Sequence, residues 1–217
     1  MNSFCQDRDV LGIVPVVFLA AGFPAQELLR GTGGVMSGTA FTSTAGGFVA
    51  AGVAPGMVLC TYTATPSEGS ACEIVSVDSS THLTVSVLRA DPSGAAVAPH
   101  AGTNLSFYIR AFAPQVRAVS DELSEKLRQL VDVSGVSAGD FADSAQLRFA
   151  TACGTMAAIF TARAEGAQPC DPNWLKAEHY RQEYRRLQLQ LRLTVDADGD
   201  GLAERTRTLG NVTLRRN

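Results

Sequence analysis

The sequence predicts an α+β protein: a helical bundle core, a small β-barrel or sandwich domain inserted into it, and a C-terminal β-hairpin arm. Three observations carry that expectation. Residues 31–110 are rich in Gly, Thr, Ser and Val and hold two Arg against four acids. After Pro114 the apolar residues take up the three- and four-residue spacing of helices. The end of the chain, LRLTVDADGDGLAERTRTLGNVTLRRN, reads as strand, tight Asp/Gly loop and strand. The expected units are 1–30 with 111–192 as the helical core, 31–110 as the inserted β domain, and 193–217 as hairpin and basic tail.

Ser3, with Gln6 three residues later, is a capping box that opens a short helix over 3–12, and Pro15 ends it. A second helical turn, AQELLR, follows Pro24. The apolar run VLGIVPVVFLAAGF covers 14 residues, too few for a bilayer, which takes about 20. Its flank, CQDRD, carries two acids and one Arg, where a secretory signal needs positive charge. The run is read as a buried helix end and loop.

Five strands are expected: Gly34–Ser43, Met57–Thr63, Cys72–Val77, Leu83–Leu88 and Leu105–Arg110. Alternation places Leu83, Val85 and Val87 on one face. Turn residues separate the runs at Ala54-Pro55-Gly56, Pro66–Gly69, Asp78-Ser79-Ser80 and Asp91-Pro92-Ser93-Gly94. Short strands at this spacing suggest a barrel or sandwich.

From Pro114, the residues Val116, Val119, Leu123, Leu127 and Leu130 form one helical stripe, and Glu122 to Lys126 is a favourable pair. A second helix, about Phe141–Ala164, is apolar nearly all round. It should be central, with Phe149, Met156 and Phe160 buried. A third runs from Pro172 to Leu191, with Asp171 as N-cap and Pro172 at the first position. Trp174, Ala177, Tyr180, Tyr184, Leu187 and Leu191 make its apolar stripe, which leaves Arg181, Arg185 and Arg186 outside.

The net charge is −3, so no global field draws in nucleic acid. Residues 1–173 hold 9 basic and 15 acidic side chains, and residues 174–217 hold 9 and 6. The tail therefore differs from the body and should meet a different partner. The five Cys (5, 60, 72, 153, 170) are an odd number with no CxxC, which reads as reduced thiols buried as small hydrophobes. Cys60 and Cys72 could also face each other across a hairpin.

No catalytic constellation is legible. His82, His100 and His179 are far apart and near no nucleophile signature. Gly31-Thr32-Gly33-Gly34 has Met36 where a dinucleotide fingerprint needs Gly, and these glycines are assigned to the start of a strand. Asp196, Asp198, Asp200 and Gly201 match positions 1, 3, 5 and 6 of an EF-hand-type calcium loop, where carboxylates converge on the ion. Position 12 is Arg207 rather than Glu. Two readings stay open, a divalent-cation loop and an ordinary Asp-Gly hairpin turn. No other cofactor is expected, and the chain is expected not to be an enzyme.

The order of these elements resembles the head–tail adaptor (connector) proteins of tailed bacteriophages. The residues that carry it are the short N-terminal helix CQDRDVLGIVPVVF, the β segments GTAFTSTAGGFVAAGVAPGMVL and EIVSVDSSTHLTVSVLRAD with Phe48, Gly52 and Gly56 as turn and anchor positions, then FAPQVRAVSDEL and YRQEYRRLQLQLRLTVDADGDGLAERTRTLG. The resemblance implies a structural virion protein of the neck, assembled in the host cytoplasm. It implies a ring, usually of twelve copies, under the portal protein and above a stopper or tail-completion protein. The genome DNA would be channel cargo, and no membrane would be involved.

The attachment device expected from the residues is the C-terminal arm. Arg205, Arg207, Arg215 and Arg216 follow the last acid, Glu204. Leu209, Val212 and Leu214 need a surface to cover them, and an isolated hairpin is marginal. The competing reading is a soluble ligand- or carbohydrate-binding module built on the β domain, although Phe41, Phe48, Tyr62 and Phe107 supply few stacking surfaces there.

Overall fold

The computed structural model describes residues 3–20, 22–23, 25–65, 68–130, 144–164, 171–195 and 205–208. The chain divides into two units, Gln6–Ala113 and Met1–Cys5 with Pro114–Asn217. The first unit holds α1 (Asp7–Ile13), α2 (Val16–Leu19), β1 (Gln26–Ser37), β2 (Ala40–Thr42), β3 (Val58–Tyr62), β4 (Ser70–Val77), β5 (His82–Ser86) and β6 (Gly102–Ala111). Helices α3 (Ala113–Leu130), α4 (Ser144–Arg163) and α5 (Pro172–Gln190) follow, then strands β7 (Arg192–Val195) and β8 (Arg205–Thr208).

The six strands of the first unit close into an antiparallel barrel in the order β1-β2-β5-β4-β3-β6. Strands β3, β4 and β5 form a meander. β6 returns to lie beside β3, and β2 lies beside β5, so two Greek keys overlap. Closure depends on β1, which is long and irregular. Its ladder with β6 shifts register between Glu27 and Leu29, between Gly31 and Gly34, and between Gly34 and Met36. Such bulges bend and twist a strand, as a closing sheet requires.

The glycines of GTGG also make room inside. A Cβ on Gly31 would stand 2.6 Å from the Phe107 ring, and one on Gly34 would stand 2.7 Å from the Phe41 ring. Phe41, Phe48 and Phe107 fill the barrel with centroids 5.0 to 6.2 Å apart. Met36, Val53, Leu59, Cys72, Ile74, Leu83, Val85, Leu105 and Ile109 complete the core.

The two short helices close the outside of one wall. Asp9 accepts the Gln6 N–H at 2.8 Å, which caps α1. The Arg8 N–H donates to the Gly56 carbonyl at 2.9 Å. Gly56 has φ +86, and a Cβ there would collide with the Gln6 amide. A four-residue helix leaves its last carbonyls without partners of its own. Barrel side chains supply them: Tyr108 and Arg110 each donate to the Phe18 carbonyl at 3.1 Å, and Arg110 also donates to that of Ala20 at 3.2 Å. Phe18 meets Phe112 edge-on, with centroids 5.1 Å apart.

These contacts correct the expected fold class. The chain is not a helical bundle core with an inserted β domain. A closed six-stranded antiparallel barrel heads the architecture, and residues 6–30 belong to it. The expected helical turn AQELLR is the beginning of β1, because Gln26 to Gly31 pair with Ala111 to Phe107. The expected strand 34–43 is a hairpin that turns at Gly38 and Thr39. Helix α1 begins at Asp7, with Gln6 rather than Ser3 at its N-cap. Val87 leaves the alternation, since β5 ends at Ser86 and Val87 is exposed.

In the second unit, Val116, Val119, Leu123 and Leu127 of α3 are buried as their spacing requires. Residues 150–157 of α4 are buried all round, as are Ile159 and Phe160. Gly154 lets the three helices approach closely, for its missing Cβ would stand 2.6 Å from Val119 and 3.2 Å from Tyr184. Leu123, Leu127, Leu147 and Leu191 form a cluster against which Phe4 packs. Asp171 caps α5 by accepting the Asn173 N–H at 2.7 Å. One expected core residue is misplaced: Phe149 is 49% exposed, because it lies on the face that α4 turns outward near its start.

Candidate functional site

The arm follows α5 with only Leu191 between them, and Leu191 is buried in the leucine cluster. Strands β7 and β8 pair antiparallel, with Arg192 opposite Thr208, Leu193 opposite Arg207, Thr194 opposite Thr206 and Val195 opposite Arg205. Among the described residues they form a sheet of two strands. Each strand of such a ribbon has one ladder edge inside the pair and one facing outward, where a further strand can add. Arg205 and Arg207 are thus placed on β8. Leu209, Val212, Leu214, Arg215 and Arg216 lie outside the described residues, as do Asp196, Asp198 and Asp200. Among the described residues no group of three His, Cys, Asp or Glu could hold a metal ion.

A buried charge cluster, which the sequence reading missed, sits on the barrel wall. Glu73 is 1% exposed and carries two guanidinium groups. Arg89 reaches it from the segment after β5, with Nε 2.5 Å and the main-chain N–H 3.1 Å from Oε1. Arg8 reaches it from α1, with Nε 2.9 Å from Oε2. The Arg8 Nε–H is not aimed at that oxygen, so the contact is an ion pair, and Arg8 Nη2 donates instead to the Arg89 carbonyl at 2.5 Å. Arg89 also donates to the Gly94 carbonyl at 2.6 Å. With both oxygens engaged, Glu73 anchors α1 and the 87–101 segment. The signal in the sequence is a Glu inside the apolar run CEIV.

His82 is the exposed first residue of β5, and its Nδ1 lies 3.0 Å from Thr81 Oγ1 and 3.2 Å from Ser79 Oγ in the preceding turn. Asp78 takes hydroxyl donors from Ser76 and Thr84 instead, at 2.7 and 2.8 Å. These hydrogen bonds hold the carboxyl below the usual carboxylate range. No Asp-His-Ser relay results, since one ring nitrogen serves both hydroxyls.

Cys60 and Cys72 sit on adjacent strands, but Leu59 is opposite Cys72 and Cys60 is opposite Ala71. They therefore face opposite sides of the sheet and cannot be bridged. Burial pushes the Cys60 thiol up to about 12 and the Cys72 and Cys153 thiols up to about 11, which suppresses the reactive thiolate.

No described helix is long and apolar enough to cross a membrane. Comparison with protein-family models, with curated proteins and with solved structures finds no match to this chain.

Proposed function

We propose that the chain is a structural head–tail adaptor of a tailed bacteriophage. In this reading it forms a ring of about twelve copies under the portal, as such adaptors do by closed heterologous contacts. The ring extends the DNA channel and bridges the portal to a stopper or tail-completion protein. Its place is the virion neck, reached after assembly in the host cytoplasm.

The observation that carries the reading is the two-stranded arm. It leaves the helical unit directly after Leu191, holds cations, and offers outward strand edges to a partner. Strand addition supplies main-chain hydrogen bonds, and an acidic partner surface would take the arginines. The rival reading, a ligand-binding module, must use the outer surface of the barrel, because phenylalanine rings fill the interior.

The test is assembly on purified portal rings from the same phage. Electron microscopy should show a second ring of this chain on the portal face. Failure of the full-length chain to bind portal rings at any salt concentration rejects the adaptor reading.

A further inference from the structure

The arm leaves the helical unit through a single residue. Helix α5 ends at Gln190 and β7 begins at Arg192, so Leu191 alone joins them. Its main-chain angles, φ −55 and ψ 121, turn the chain out of the helix, while its N–H still donates to the Leu187 carbonyl at 2.9 Å. A residue has only two soft dihedrals. Whatever holds Leu191 therefore sets the direction in which β7 departs.

Leu191 is held by its side chain, which is buried among Leu123 and Leu127 of α3 and Leu147 of α4. Phe4 packs against this cluster, and among the described residues it is the one partly buried apolar residue that does so. The four leucines are shut away from water, whereas Phe4 is half-buried. Its ring is thus the outer layer of the cluster. The backbone of Phe4 is fixed as well. Its N–H donates to Ser120 Oγ at 3.2 Å, and that hydroxyl donates in turn to the Val116 carbonyl at 2.8 Å within α3. Ser120 and the neighbouring Cys5 are both buried.

We propose that Phe4 is a positioning residue for the arm: seated on the leucine cluster, it holds Leu191 and so fixes the root of the β7–β8 ribbon. A two-stranded ribbon is marginal by itself. One free to pivot on a single residue loses that freedom when a partner takes it, which weakens binding. Phe4 removes the pivot beforehand. Its part in attachment rests on the adaptor reading, whereas its hold on the arm rests on contacts within one unit.

The test is amide hydrogen exchange on the full chain, comparing wild type with Phe4→Ala and Phe4→Leu. In Phe4→Ala, residues 191–195 and 205–208 should exchange at least about tenfold faster. That increase should exceed any increase over residues 150–160 of α4 by at least about fivefold, which separates a released arm from a general loss of stability. Phe4→Leu restores apolar cover and should stay within about threefold of wild type. Circular dichroism checks the fold. Should Phe4→Ala fail to fold, Ser120→Ala carries the test. It removes the acceptor of the Phe4 N–H and leaves the leucines in place, and the arm should then exchange at least about threefold faster.

Unchanged exchange in the arm overturns the proposal. So does an equal increase in the arm and in α4, or a Phe4→Leu chain that behaves like Phe4→Ala. Affinity for portal rings is measured separately and should fall at least about threefold in Phe4→Ala. A released arm with unchanged portal affinity would overturn the role in attachment. A released arm in a chain whose wild type does not bind portal would reject the adaptor reading and leave the hold of Phe4 standing. Portal binding by wild type with unchanged arm exchange in Phe4→Ala would do the reverse.

Discussion

Asp7 Oδ1 accepts the Phe112 main-chain N–H at 2.7 Å, which ties the first turn of α1 to the residue that follows β6. The carboxyl is buried, and desolvation pushes it up to about 6, against the opposing effect of that hydrogen bond, with the nearby Asp9 charge adding to the rise.

A pH dependence follows. Between about pH 4 and pH 6 the folded chain holds a proton that the unfolded chain has released, so stability falls as pH rises through that window. The size is about 2–3 kcal/mol at most. Asp7→Asn keeps an acceptor and removes the titration. Urea unfolding should show the variant equal to wild type near pH 4 and more stable at pH 7. Parallel pH profiles for the two proteins would refute the assignment.

Glu73 should resist substitution. Glu73→Gln leaves Arg8 and Arg89 with uncompensated charge on the barrel wall, at a cost of about 3–5 kcal/mol. Chemical denaturation measures it. A loss below about 1 kcal/mol would mean that water reaches the pair.

The two phenylalanines of α4 should part company. Phe160 is fully buried and stacks on Tyr180 at 5.9 Å, so Phe160→Ala should cost about 3–5 kcal/mol. Phe149→Ala removes a half-exposed ring and should cost under about 1 kcal/mol. Similar values for both would contradict the placement of α4.

Ending the chain at Thr194 removes β8 and most of the basic residues of the arm but keeps the buried Leu191. The shortened protein should retain the circular dichroism spectrum of the barrel and helices. Its affinity for portal rings should fall by at least about tenfold. Unchanged affinity would move the attachment to the helices.

Much of the local structure was legible. The stripe Val116, Val119, Leu123 and Leu127 announces α3, and Asp171-Pro172 announces the start of α5, because caps and periodicity act within a few residues. The strands β3 to β6 were found through their turn residues. The N-terminal assignment failed because AQELLR has good helix formers, and only pairing with residues 107–111, eighty positions away, makes it a strand. The same limit hid Glu73, whose meaning depends on Arg8 and Arg89. Phe149 was misjudged because a nearly uniform apolar helix gives periodicity little to distinguish its outer face.

The division of the chain also sets an order of events on the ribosome. Every strand of the barrel is complete once Ala111 has emerged, and β1 cannot close until then, because β6 is its partner. Phe4, made before the barrel, belongs to the other unit, where it packs on Leu123, Leu127, Leu147 and Leu191. At about 5–20 residues per second, it waits on the order of 10–40 s for the last of them. Phe4 is thus made before every strand of the barrel and settles only after all of them are complete.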